Sequence, residues 1–166
     1  MITSIKKIDS NRISDERIKH MHGVAELMYV NYEAFDCSAL SKEETYMLGL
    51  NHDIGYVDGA EEHEERGAYW FLGLSKYSKL FNFCIKYHGV TPENYMKSHG
   101  CSELFIPKEL LLLWWADMMV ESSGEHAGEV VGHEARLENI KNRFGSDSKQ
   151  YNDSKKVIEW LANKVK

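Results

Sequence analysis

The stretch Leu110-Leu111-Leu112-Leu113-Trp114-Trp115-Ala116-Asp117-Met118-Met119-Val120 is apolar at every position but one. Pro107 stands at a natural first helical position before Lys108-Glu109, so a helix is expected from there through Val120. A helix without a polar face has to be enclosed by other elements. Its single exception, Asp117, must then be enclosed as well. An unpartnered ionised carboxylate in such a place costs several kcal/mol or more, so Asp117 is paired with an internal Arg or Lys, neutralised, or bound to a metal ion. The run is also far shorter than the roughly 18 residues a membrane span needs.

The rest of the chain supplies helices to enclose it. Its 166 residues are 43% hydrophobic with only 2 Pro, which excludes a disordered composition and favours helices. The length suits one domain over 1–166 with a sizeable core. Ser14-Asp15-Glu16 caps a helix of about 20 residues ending near Phe35, with Ile13, Arg17, His20/Met21, Val24, Leu27/Met28 and Asn31 on one stripe. Ser41-Lys42-Glu43-Glu44 is a capping box for a second helix, which Gly55 is placed to close. A third is expected from about Glu61 to Leu74, and a fourth from about Ser78 to His88, stopped by Gly89 and Pro92. Residues 89–106 lack periodicity and read as a long irregular loop which, with 56–62, would shape any pocket. Helices from about His126 to Phe144 and from Asp147 to Lys164 complete an all-α, compact single-domain array of about seven helices.

Two upstream segments break their apolar pattern as Asp117 does. His20 lies on the inward stripe of the first helix, and Asn51-His52-Asp53-Ile54-Gly55 sets an imidazole beside a carboxylate at a helix end. Each has an ordinary explanation alone: a hydrogen-bonded core histidine, a histidine favoured by a helix C-terminus, an Asp near a turn. Jointly they are nitrogen and oxygen donors of the kind that hold a divalent transition metal. His22 falls on a different face and is the poorer candidate. Other signals are negative. His63-Glu64-Glu65-Arg66-Gly67 lacks the second histidine of HExxH, and neither a P-loop nor GxGxxG is present. Glu125, His126, Glu129, His133 and Glu134 read as a solvated helix face. Trp114, Trp115 and Trp160 read as core.

The formal charge of −6 argues against an extended nucleic-acid surface. It does not forbid a nucleotide substrate, because bound metal ions supply positive charge locally. Cys37, Cys84 and Cys101 are odd in number and form no CxxC, so reduced thiols, a soluble protein and a cytoplasmic location are expected. Met1-Ile2-Thr3-Ser4-Ile5-Lys6-Lys7 has no apolar segment of signal-peptide length. No membrane partner is expected, and oligomeric state is not legible.

The ordered set His20, His52-Asp53 and Asp117, within Arg17-Ile18-Lys19-His20-Met21-His22-Gly23-Val24-Ala25, Asn51-His52-Asp53-Ile54-Gly55 and Ala116-Asp117, resembles the HD-domain superfamily of metal-dependent phosphohydrolases. In that family's first motif the ligand His precedes Val-Ala by four residues, which selects His20 over His22. The resemblance spans roughly residues 14–122 and leaves the helices of 126–164 outside it. It implies an HD-like helical domain in which His20, His52, Asp53 and Asp117 hold one metal. Family members with two metals add two histidines between the dyad and the last Asp; His63 and His88 match that plan, with Asp53 bridging. This chain departs from the family at Tyr56, where Lys often follows Asp-Ile-Gly, and has no downstream Gly-Tyr-Pro.

The activity so implied is hydrolysis of a nucleotide or other small phosphate ester, as monoesterase or diesterase, by water activated on one or two divalent ions (Fe, Mn, Co, Ni or Zn). Asp53 would sit at the reacting centre, with Arg17 and Lys86, or Arg66, offsetting phosphate charge. Two rival readings remain open at this stage. One is a non-catalytic module binding a ligand or protein; the other is a diiron, oxygen-using member of the wider superfamily.

Overall fold

A computed structural model describes residues 13–71 and 79–164. Among these residues the regular structure is all-α: α1 (Asp15–Asn31), α2 (Lys42–Asn51), α3 (His63–Trp70), α4 (Lys79–Tyr87), α5 (Pro92–His99), α6 (Lys108–Asp117), α7 (His133–Phe144) and α8 (Lys149–Ala162). Ser14 accepts the Arg17 amide to start α1, and Ser41 and Glu44 cap α2 reciprocally. The apolar α6 lies at the centre, in contact with α1, α2, α4 and α8; α1 packs along α2, α3 along α4, and α7 along α8. Leu110, Leu112, Leu113 and Trp114 of α6 are fully enclosed with Val24, Met28, Leu48, Phe81 and Ile85. Burial of this set is what holds the array together. No described helix is long and apolar enough to cross a membrane.

Glu109, in the first turn of α6, is also buried. Its Oε1 accepts the backbone N–H groups of Ser38, Ala39 and Leu40 at 3.2, 2.9 and 3.2 Å. This pins the α1–α2 connection against the start of α6 and satisfies the amide of the buried Leu40 along with those of the exposed Ser38 and Ala39.

Several expected boundaries move. The stretch 89–106 is not irregular throughout. Thr91 caps α5 by accepting the Asn94 amide, Pro92 takes the first helical position, and Gly100 closes the helix. Pro92 therefore starts a helix as well as ending the preceding segment. The first helix stops at Asn31, and the chain turns through Phe35 and Asp36, the latter at a left-handed φ of 53°. Gly55 does not close α2, whose last residue is Asn51. It lies instead in a 3-10 turn over 54–58 packed on α3, where a Cβ would overlap the His63 carbonyl. The apolar helix ends at Asp117, not Val120, which forms an isolated antiparallel bridge with Val130. Residues 126–132 are not helical: the loop folds back through Glu121 N–H to Glu129 O at 2.9 Å and Gly128 N–H to Glu121 O at 2.8 Å. Gly132 at φ 88° holds a conformation no helix allows, so α7 begins at His133. The third and fourth helices, expected over 61–74 and 78–88, run His63–Trp70 and Lys79–Tyr87; residues 72–78 lie outside the described part.

Candidate metal centre

Helix geometry brings six side chains to one point beside α6. His20 faces inward from the middle of α1, His52 caps the C-terminus of α2 with Asp53 next to it, and Asp117 is the last residue of α6. His63 opens α3 and His88 directly follows α4. His20 Nε2 lies 2.9 Å from Asp117 Oδ1 and 3.9 Å from Asp53 Oδ2. His52 Nε2 lies 3.4 Å from Asp53 Oδ2 and 3.8 Å from Asp117 Oδ1. The other Asp53 oxygen, Oδ1, is 3.1 Å from His88 Nε2 and 3.3 Å from His63 Nε2. Asp53 thus turns one oxygen to each pair of imidazoles.

All four imidazoles are held by their other nitrogen. Nδ1 donates to the carbonyl of Glu121 in His20 (3.3 Å), of Gly49 in His52 (2.7 Å), of Ala60 in His63 (3.0 Å) and of Ile85 in His88 (2.7 Å). A carbonyl only accepts, so each Nδ1 carries the hydrogen and each neutral ring presents the Nε2 lone pair to the centre. Those lone pairs face carboxylate oxygens, which are acceptors too. Only protons or a cation can make such an arrangement attractive. His52 Nε2 is buried and makes no hydrogen bond. A metal-bound histidine ordinarily has this outer hydrogen bond to a carbonyl or carboxylate. Atoms about 2.0–2.1 Å from a tetrahedral ion are roughly 3.3 Å apart, and the separations of 2.9–3.9 Å here straddle that value. The donor set therefore fits a divalent transition metal. Two groups, His20/His52/Asp117 and His52/Asp53/His88, are each compact enough to hold an ion.

The state of His52 agrees with that fit, whereas His88 keeps a proton on Nε2 toward Asp53 that a bound ion would displace. Burial, helped by His88 and His20, lowers His52 to about 4 against the pull of Asp53 and Asp117, so it is neutral at physiological pH. Burial opposes charge on His88 as well, but the hydrogen bond and charge of Asp53 raise it to about 9. Asp53 and Asp117 are held below the usual carboxylate range, because the surrounding imidazoles, with Arg17 for Asp53, outweigh the cost of burial.

The centre opens into a cleft of about 300 Å³ lined by Asp53, His63, His88 and Asp117 on one side. Arg17 is at its edge: Nη1 donates to Asp53 Oδ2 at 2.6 Å, and the guanidinium lies 4.1 Å from the Tyr56 ring centroid. Burial raises the Tyr56 phenol to about 12, with Asp53 adding to the shift, so it keeps its proton. The opposite wall comes from α7 and α8 and includes Arg136, Ile140, Arg143, Phe144 and Lys149.

Five of the six expected ligands fall within the two compact groups; His63 approaches Asp53 Oδ1 at 3.3 Å but belongs to neither, and the exposed His22 does not reach the centre. Lys86 does not reach the cleft. Its Nζ sits 3.0 Å from Glu65 Oε1 on the surface, because the last turn of α4 faces α3 there. Arg66 is likewise spent on the carbonyls of Gly55 and Gly59. Among the described residues His126 pairs with Glu125 and Glu129 at the surface, while His133 Nε2 donates to the Trp115 carbonyl at 3.4 Å, so the two form no joint site there. The loops 56–62 and 89–106 contribute only Tyr56, Gly89 and Thr91 to the cleft. Sequence reasoning missed the α7 cations, though Arg136, Ile140, Arg143 and Phe144 recur at the spacing of one helix face. It also missed Glu121, buried after α6. That carboxylate accepts from Arg136 Nη1 at 3.2 Å, from Asn139, and from the amides of Ser122 and Ser123. The same residue's carbonyl holds His20.

No family model, curated protein or solved structure matches this chain.

Proposed function

We propose that this chain is a metal-dependent phosphohydrolase of the HD type, acting on a nucleotide or another small phosphate ester. The observation that carries the reading is the convergence of four carbonyl-anchored imidazoles on the two oxygens of Asp53 and on Asp117. His20, His52, Asp53 and Asp117 would hold one ion; His63 and His88 would hold a second, with Asp53 shared. Bound there, a divalent ion supplies a water of pKa near about 7 and charge to offset the phosphate.

The residues around the centre have separate tasks. The carbonyl bonds fix every imidazole in the tautomer that binds, so little reorganisation is needed. Arg17 pairs with Asp53, adding to the imidazoles that keep it ionised, and sets a guanidinium at the cleft edge, where a phosphate oxygen can be met. Arg17 was expected in this role together with Lys86, which Glu65 holds away from the cleft. Tyr56 stacks against Arg17 and His63 and, remaining protonated, offers an O–H donor in the cleft. Phosphate hydrolysis is favoured over a purely binding module because a structural cluster has no need to leave His52 Nε2 without a partner. It is favoured over oxygen chemistry by the cationic side chains lining the cleft.

The test is turnover of p-nitrophenyl phosphate and of a panel of nucleotides across added Mn, Fe, Co, Ni and Zn. Metal-dependent phosphate release that chelator abolishes and the same metal restores is expected. A metal-loaded protein that releases no phosphate from any of them contradicts the proposal.

A further inference from the structure

The cleft is larger than its metal end requires, and its far wall is cationic. Arg136 is only 6% exposed, yet it lines the cleft. Its Nη1 is engaged by Glu121, while its buried Nε has no hydrogen-bond partner. A buried guanidinium N–H without an acceptor is costly and is normally met by a ligand or water oxygen. Arg143, two turns further along α7, donates to the Ser122 and Ser123 hydroxyls at 3.3 and 2.8 Å. Among the described residues no carboxylate lies within ion-pair distance of it. Lys149 has only Asp153, at 4.0 Å. The acids paired with Arg136 and Lys149 are Glu121, which lies outside the cleft lining and already accepts from Arg136, Asn139, Ser122 and Ser123, and Asp153. Met118, Ile140 and Phe144 line the same cleft and give an apolar surface.

We propose that the α7–α8 wall is a second anion subsite and that the preferred substrate carries two phosphates. The scissile one lies at the His/Asp centre; the other is held by Arg136, Arg143 and Lys149. The apolar surface accommodates the body that links them. Guanidinium forks suit a phosphate, which can take paired N–H bonds from each. The subsite rests on the hydrolase reading for the role of the first phosphate, and two measurements keep the two ideas apart.

The first compares kcat/KM for a nucleoside bisphosphate with that for p-nitrophenyl phosphate, in wild type and in Arg143→Ala/Lys149→Ala. Both side chains are exposed, so the variant folds. The ratio of the two values is expected to favour the bisphosphate in wild type and to fall about tenfold or more in the variant, mainly through KM. A ratio that the variant leaves unchanged overturns the subsite. The second is equilibrium binding of the same bisphosphate, followed by isothermal titration calorimetry. Should no metal support turnover, the hydrolase reading falls, but binding still decides the subsite. Affinity weakened about tenfold or more in the variant upholds it; equal affinity overturns it.

Discussion

At the residue scale the decisive side chain is Asp53, whose two oxygens each face two imidazoles. Asp53→Ala is expected to abolish metal binding and turnover while far-ultraviolet circular dichroism stays close to wild type. Retained activity would contradict its assignment. His63→Ala removes one of the two imidazoles on Oδ1 and is expected to lower the metal stoichiometry by one, read by elemental analysis. An unchanged stoichiometry would mean that one ion is held and that His63 only adjoins it. His22→Ala is expected to be nearly neutral, because that side chain is exposed on the far face of α1. His20, His52, Asp53 and Asp117 were legible because a polar residue on an otherwise apolar stripe stands out. Arg136 and Arg143 were not, because cations on a polar helix look like ordinary surface until a tertiary wall encloses them. Lys86 was misplaced for the converse reason: sequence shows a nearby cation but not that Glu65 holds it.

At the scale of elements, two buried acids tie loops to helices. Glu109→Ala removes the acceptor shared by three amides of residues 38–40, of which that of Leu40 is buried, and leaves a void at a buried position. A loss of about 2–4 kcal/mol in unfolding free energy is expected by chemical denaturation. A loss below about 0.5 kcal/mol would show that water replaces the carboxylate at no cost. Glu121 fixes the turn after α6, whose carbonyl orients His20. Glu121→Ala is expected to weaken metal affinity about 10- to 100-fold without touching a ligand. Its pKa lies below the ordinary 4.5, since the donors of Asn139, Arg136, Ser122 and Ser123 outweigh burial. The contribution is therefore fully present above about pH 4.5 and is lost as pH falls below it. Wild-type stability should drop more steeply in acid than that of Glu121→Gln, and parallel pH profiles would contradict this. The α1, α2 and α6 starts were legible from caps and Pro107. The C-terminus of α6 and the 118–132 fold-back were not, because an apolar run continues past Asp117 while a single backbone bridge redirects it.

At the scale of the whole molecule, the candidate metal centre draws on α1, the α2 end, α3, the α4 end and α6, so an ion held there would tie the array together. Ligand binding to the folded state alone adds about 4 kcal/mol at a thousandfold excess over Kd, which corresponds to a rise in Tm on the order of ten degrees for a chain of this size. Chelated and reloaded protein should differ by that much in a thermal melt; identical midpoints would remove the structural role of the ion. The all-helical class and the enclosed α6 followed from periodicity and composition. How α7 and α8 return to cover the cleft did not, since nothing local encodes that docking. The most direct test of the account is the metal content of protein purified without chelator, measured beside Asp53→Ala. One to two equivalents of a divalent transition metal in wild type and near none in the variant is the expected result. Less than about half an equivalent in folded wild type, with no uptake when Mn, Fe, Co, Ni or Zn is added, would contradict it.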